Sequence, residues 1–170
     1  EAISNGHLKD ISWSSKGWRR FHWTQAKEHV NYLVTLVVGD YQEYKLKGHR
    51  VPMSVWVNKA YKKDWRRSFD KTVDMMNFFE DYIAYPYPWE KYDQVVVEDF
   101  LFGGMENTSA TTMTSRTIHD DRAHLDFSSD GLVAHELAHQ WFGDLITCRS
   151  WAHLWLNEGF ATYFENLYVE

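Results

Sequence analysis

An α+β fold is expected for this 170-residue chain, on three observations. The first third is rich in β-branched and aromatic residues broken by turn signals. Between Ser68 and Ile83 the apolar positions Phe69, Val73, Met76, Phe79 and Ile83 recur every three or four residues, the period of an amphipathic helix. Two further apolar helical segments close the chain. Strands come first, then strands mixed with helices, which places a soft boundary near residue 48. A β-rich piece (1–48) precedes an α/β piece (49–170), and the length suffices for one domain with a real core, or one domain plus part of another.

In chain order, EAISNGHLKD reads as loop or hairpin. Trp18 to Trp23 and Tyr32 to Val38 are strand candidates, with Gly39-Asp40 punctuating the second. Val51 to Val57 is another, carrying Pro52 near its start where a missing N–H is tolerable. The helix over 68–83 ends at YPYP (Tyr85 to Pro88), because each residue before a proline is pushed out of the α region. Asp93 to Glu98, with three valines at its centre, is a strand; FGGMEN follows, then the threonine-rich Ser109 to Thr114 as the next strand. The first closing helix starts at Ser128-Ser129-Asp130, all good N-caps, and stops at Gly143. The second runs from about Ala152 to the end.

Composition narrows the classes. Hydrophobic residues are 44% and charged residues 25%, as in ordinary globular proteins. The 9 Trp, 10 Tyr and 10 Phe favour a large stiff core. With a net charge of −6, the one basic cluster, Lys62, Lys63, Arg66 and Arg67, has acidic neighbours on both sides; it reads as solvated surface, and no nucleic-acid partner is expected. Cys148 is the single cysteine, so no internal disulfide forms; it reads as a small buried hydrophobe. No apolar run approaches the roughly 18 residues that span a bilayer, and no signal peptide opens the chain, so a soluble segment of undetermined compartment is expected. The opening residues suit a fragment or a trimmed mature form.

The chemistry concentrates in VAHELAHQWFGD (Val133 to Asp144). On a helix, residues four apart project from one face, so His135 and His139 point the same way and can reach one metal ion at about 2.0–2.1 Å. Glu136 lies about 100° round the helix and flanks the metal. Leu132, Val133, Ala134, Leu137, Ala138, Trp141 and Phe142 leave no polar face, so three ionisable groups here are expensive to desolvate unless a cation compensates them. Core histidines bonded to carbonyls are the bland alternative; the H-E-x-x-H pattern favours the metal. Two imidazoles leave a tetrahedral ion needing a third ligand and an open position. Asp144 is about 140° round from His139 and faces away. Cys148, His153, Glu158 and Glu165 remain, and spacing does not separate them. Glu158 sits in the apolar stretch WLNEGFATY and completes a His₂Glu set if that helix packs back on the first.

These residues resemble the gluzincin zinc aminopeptidases, the family of aminopeptidase N and leukotriene hydrolase. Three motifs carry the resemblance: GGMEN (Gly103 to Asn107), HELAHQWFGD (His135 to Asp144) and WLNEGFATY (Trp155 to Tyr163), with eighteen residues between His139 and Glu158. Together, in this order and spacing, they are highly specific, and YPYPWEKYDQVVV and the β-rich start extend the likeness over nearly the whole chain. The resemblance implies a thermolysin-like core, a mixed sheet packed on helices, preceded by the tail of a β-sandwich-like domain. It implies that His135, His139 and Glu158 bind one Zn2+ per chain. Glu136 is then the general base that activates the attacking water, Glu106 takes the substrate's α-ammonium group, and Gly103 and Gly104 offer backbone to a substrate lying along an edge strand. The expected activity is removal of N-terminal residues from peptides with a free N-terminus, a zinc metalloaminopeptidase. A carboxylate in a closed cleft selects a free amine through a contact worth about 1.5–3 kcal/mol. Glu165, seven residues past Glu158, and Asp144 are weaker candidates for orienting a metal-bound histidine. Trp141, Trp151 and Trp155 read as core.

The family also places an oxyanion-stabilising tyrosine well beyond the third zinc ligand. Only twelve residues follow Glu158 here, and Tyr163 and Tyr168 are too close on the same helix for that part. Losing such a donor costs about 10²–10³ in rate, so activity of the 170-residue chain alone is an open expectation, and further domains or a partner chain are expected to complete the site. Two rivals stand: a zinc-stabilised peptide-binding fragment without turnover, and a thermolysin-like endopeptidase, against which Glu106 argues.

Overall fold

The computed structural model describes residues 1–170. Its first four strands are β1 (Ala2–Ser4), β2 (His7–Trp13), β3 (Arg19–Thr24) and β4 (Leu36–Val38). β1 pairs antiparallel with β4, and β2 with β3, so the opening residues form a hairpin rather than a loop. Of the strand expected over Tyr32 to Val38, only the second half is extended; Asn31–Leu33 is a 3-10 turn. Gly6 needs its positive φ of 69° and its missing side chain, since a Cβ there would strike the Thr24–Gln25 backbone.

The remaining elements are β5 (Tyr41–Leu46), β6 (Met53–Asn58), α1 (Trp65–Phe69), α2 (Thr72–Ile83), β7 (Tyr92–Val97), β8 (Gly104–Met105), β9 (Ala110–Thr114), α3 (Asp130–Ala138) and α4 (Trp155–Val169). Five strands make one mixed sheet in the order β5-β6-β7-β9-β8. β6, β7 and β9 run parallel, while β5 and β8 are antiparallel edges. The central β7 carries the valine run and is buried almost throughout, as a strand covered on both faces must be. β5 is the element that pattern reading passes over: YQEYKL mixes aromatic and charged residues. It lies before residue 48 and pairs across that point with β6.

The helix expected over 68–83 is two helices. Thr72 donates its hydroxyl to the carbonyl of Phe69 (2.8 Å) and accepts from Gln94 (3.0 Å). This side-chain bond competes with the helical ladder at Asp70–Lys71 and breaks it. α2 ends at Ala84, in the left-handed region at φ 55°, just before YPYP. The core joins Val55, Val57, Val96 and Met113 of the sheet to Phe69, Met76 and Phe79 of α1 and α2, and to Val133, Leu137, Trp141 and Phe164. Trp141 is core as expected, but Trp151, in the 3-10 turn before α4, and Trp155, at the start of α4, are 64% and 63% exposed; Trp151 meets only the edge of the Tyr32 ring, 4.9 Å away, among the aromatic contacts. No helix is long and apolar enough to cross a membrane.

Candidate metal centre

α3 is held from both ends. Ser129, expected as a cap, instead donates its hydroxyl to the Thr117 carbonyl (2.6 Å), while Ser128 accepts from the Asp130 N–H (3.1 Å). Regular helix stops at Ala138 rather than Gly143, but the His139 N–H still reaches the His135 carbonyl (3.2 Å), so both rings keep one face. α4 packs back on α3 through Phe142, whose ring stacks 5.0 Å from Phe164 and 4.9 Å from Phe160. That packing brings Glu158 to the two histidines.

His135 Nε2 and His139 Nε2 lie 3.1 Å apart, and Glu158 Oε2 lies 3.3 Å from the first and 3.4 Å from the second. Ligands arranged tetrahedrally around an ion at about 2.0–2.1 Å stand about 3.3–3.4 Å from one another. The three donor atoms therefore form one face of such a tetrahedron and could hold a metal ion. Of the candidates open for the third position, Glu158 is the one whose carboxylate lies against both rings. Glu165 accepts from His135 Nδ1 at 3.0 Å, and the carbonyl of Phe142 from His139 Nδ1 at 2.9 Å, so each ring is oriented by its far nitrogen. Asp144 does not orient a histidine. It is buried, both carboxylate oxygens lack a hydrogen-bond partner, and burial, with the negative charge of Glu106, pushes its carboxyl well above the usual range.

The electrostatics follow from crowding acids around two imidazoles. Burial, the largest single influence, works to lower the pKa of both histidines, but hydrogen bonding to Glu158 together with the other acids and acceptors around them outweighs it, and both are raised. The same two bonds hold the Glu158 carboxyl far below its ordinary value. Glu136 is 5% exposed, its Oε2 is buried without a partner, and burial pushes its pKa up to about 8; His135 pulls it down, while Glu106, Glu158 and Glu165 push it further up. An unpaired carboxylate oxygen buried beside a three-donor face is the environment a cation and its bound water would satisfy, so the donor set fits a metal.

The metal face opens on a cleft of about 480 Å³, whose walls include Gly103, Gly104, Glu106, His135, Glu136, His139 and Glu158. GGMEN supplies one wall because β8 is the sheet's edge: Gly104 pairs with Met113 and Met105 with Thr112, leaving the outer side of the strand toward the cleft. Gly104 is required for close approach, since a Cβ there would sit 2.6 Å from Cγ of Glu136 and closer still to its carboxyl group. All seven residues singled out in the sequence thus meet in one cleft. Tyr163 and Tyr168 do not line it. Cys148 is half-buried beside an apolar cavity of about 200 Å³ that Ile146, Leu156 and Phe160 also line.

One residue near the site carried no sequence signal. Tyr32, on the N-terminal piece, accepts from Asn157 (3.2 Å), the neighbour of Glu158. Burial and the charges of Glu106 and Asp144 push its phenol up to about 12. A lone tyrosine so far back in the chain has no periodicity or spacing to betray it.

Comparison with known proteins agrees with this geometry. Residues 67–170 match the family described as the peptidase family M1 domain. The chain is similar to aminopeptidase M1-C of Oryza sativa subsp. japonica, 38% identical over 89% of the chain. It is 37% identical to endoplasmic reticulum aminopeptidase 1 of Homo sapiens over 96% of the chain, and 32% identical to aminopeptidase Ey of Gallus gallus over 98%. In each case the match spans 18% of the relative's length.

Proposed function

Since this chain belongs to the peptidase M1 family, we propose that it carries the metal-binding part of a zinc aminopeptidase that removes N-terminal residues from peptides. The carrying observation is the juxtaposition in one cleft of a His135–His139–Glu158 donor face, the unpaired Glu136 carboxyl and the Glu106 carboxylate. Residues 49–170 are read as a thermolysin-like catalytic part, and 1–48 as the end of a preceding β domain whose last strand, β5, extends the catalytic sheet.

His135, His139 and Glu158 would hold the ion. Zinc bound there would supply a Lewis acid able to polarise the scissile carbonyl and lower the pKa of water to about 7. Glu136 takes the proton of the attacking water and returns it to the departing amine, two transfers that one positioned carboxylate performs in sequence. Burial is the main cause that raises the Glu136 pKa, with the neighbouring acids adding to it; a divalent cation at the donor face would oppose both and favour the carboxylate. Glu106 binds the α-ammonium group and thereby counts the chain from its end. β8 offers its free edge to the peptide backbone, which lies as one more strand.

The test is metal analysis of the purified chain paired with hydrolysis of a panel of aminoacyl amides and their N-acetyl derivatives. One zinc per chain and cleavage of free-amine substrates alone is the expected result. Glu136→Gln should keep the metal and lose hydrolysis; a variant cleaving at the parent rate would show that the base is wrongly assigned. Equal cleavage of acetylated substrates would favour the endopeptidase reading.

A further inference from the structure

Gln140 follows the second histidine of the donor face directly and is fully buried, yet its side chain makes no bond to that face. Its Oε1 accepts from the backbone N–H of Ser109 (2.8 Å) and from the Tyr87 hydroxyl (3.2 Å). Its Nε2 donates to the backbone carbonyl of Glu106 (3.2 Å). One amide thus ties both ends of the segment Glu106–Ser109 to the turn that ends the metal helix. The Gln140 carbonyl accepts from the indole of Trp89 (3.1 Å), which fixes the main chain from which the side chain departs.

The segment needs such a tie. Ser109 is held in the left-handed region at φ 63°, a conformation that persists in a non-glycine residue only where surroundings over-determine it. From the other side, Asn5 donates to the Thr108 carbonyl (2.7 Å), Gly6 N–H to Ser109 Oγ (2.7 Å), and Lys91 to the Ser109 carbonyl (3.0 Å). Those contacts anchor Thr108 and Ser109 to the strands. Gln140 bonds both ends of the segment to the turn that follows the second metal-binding ring.

We propose that Gln140 is a positioning residue: it sets the separation between the Glu106 carboxylate and the donor face, and so determines how strongly the site selects a ligand bearing a free α-ammonium group. This rests on the aminopeptidase reading above. The geometry supports it because a ligand that spans metal and Glu106 binds well only when both ends meet it at once. A ligand lacking the amine engages the metal end alone and is indifferent to the separation.

The experiment compares the zinc-loaded chain's affinity for leucine hydroxamate with that for N-acetyl-leucine hydroxamate, by calorimetry and without need of turnover. The wild-type chain should prefer the free amine by about ten- to a hundredfold. Gln140→Met, of similar volume but without the amide, should bring that ratio to within about threefold while leaving zinc stoichiometry and the acetylated compound's affinity unchanged. Gln140→Asn keeps the amide but is one methylene too short to span both partners; it should also lose most of the preference, and it decides the matter if the Met variant does not fold. A folded, zinc-loaded variant that keeps the wild-type ratio overturns the proposal. Absence of any preference in the wild type would instead overturn the Glu106 assignment. Exchange of the Ser109 amide proton then tests the tie itself: Gln140→Met should exchange it about tenfold faster or more, and an unchanged rate refutes the tie.

Discussion

Replacing Gly104 by alanine isolates the close approach of the β8 edge to Glu136, the proposed general base. The added Cβ would stand 2.6 Å from Cγ of Glu136, with the carboxyl group nearer still. Carbon atoms rest about 3.5–4.0 Å apart, so the Glu136 side chain must retreat by about 1 Å. It has little room, being 5% exposed. A displacement of about 1 Å at a reacting group costs about 10²-fold in rate, and complete loss of a general base about 10²–10⁴-fold. The expected fall in kcat is therefore about 10²-fold, or about 2.7 kcal/mol of barrier. Gly104 has no positive φ, so alanine adopts its backbone without strain, and the three atoms nearest to the Cβ all belong to Glu136. Gly103→Ala is the control, since the three atoms nearest to its Cβ all belong to the flexible Leu132 side chain, the closest at 3.0 Å. The assay is hydrolysis of an aminoacyl amide with zinc content measured on the same sample. Full zinc with a rate within about threefold of wild type in Gly104→Ala would refute the reasoning. So would a loss of zinc that accounts for the loss of rate.

Other perturbations act on the supports of the site. Glu165→Gln weakens the orientation of His135 and should lower zinc affinity by about 10–100-fold in a chelator competition, with little change in the secondary structure seen by circular dichroism. Removing zinc with a chelator should lower the melting temperature: at a free ion concentration about 1,000 times Kd the ion contributes about 4 kcal/mol, and a chain of this size shifts about 2–4 °C per kcal/mol. An unmoved melting temperature would mean the donor face does not bind the ion in the folded chain. Glu80 binds the Tyr87 N–H (2.6 Å), His49 (3.1 Å) and Arg50 (2.6 Å). Burial works against its charged form, but those bonds prevail and hold its pKa below 4.5. A lowered folded pKa means stability that is fully present above the unfolded value and fades as pH falls through the folded one. Glu80→Gln should cost about 1.5–3 kcal/mol in urea unfolding at pH 7, and the gap from wild type should narrow below about pH 4.

Legibility in the sequence tracked how local the cause was. The His135–His139 pair follows from helical period alone, and the valine run of β7 and the YPYP stop are equally local. The break of the 68–83 helix was not visible, because the apolar period does not show the Thr72 hydroxyl turning back to the Phe69 carbonyl while it accepts from Gln94 on another element. β5 was missed because its pattern is that of an edge strand with one polar side, and only its partner β6 defines it. Trp151 and Trp155 read as core by composition, yet both lie exposed at the entry to α4, which only the packing of other segments decides.

What the sequence by itself determined was the inventory: two imidazoles one turn apart, a carboxylate between them, an acidic residue after a glycine pair, and a second helix bearing Glu158. Covalent order and backbone geometry suffice for that, because residues on one helix have nearly fixed relative positions. Which distant carboxylate meets the two imidazoles, why Gly104 must lack a side chain, and how the segment after Glu106 is tied to the turn beyond α3 were decided by tertiary structure. Those depend on helix α4 folding back through the Phe142 stack, on a two-residue edge strand meeting Glu136, and on a buried amide joining loop to helix. Such relations hold between segments far apart in the chain, and only the close packing of a shared core sets them to within an ångström.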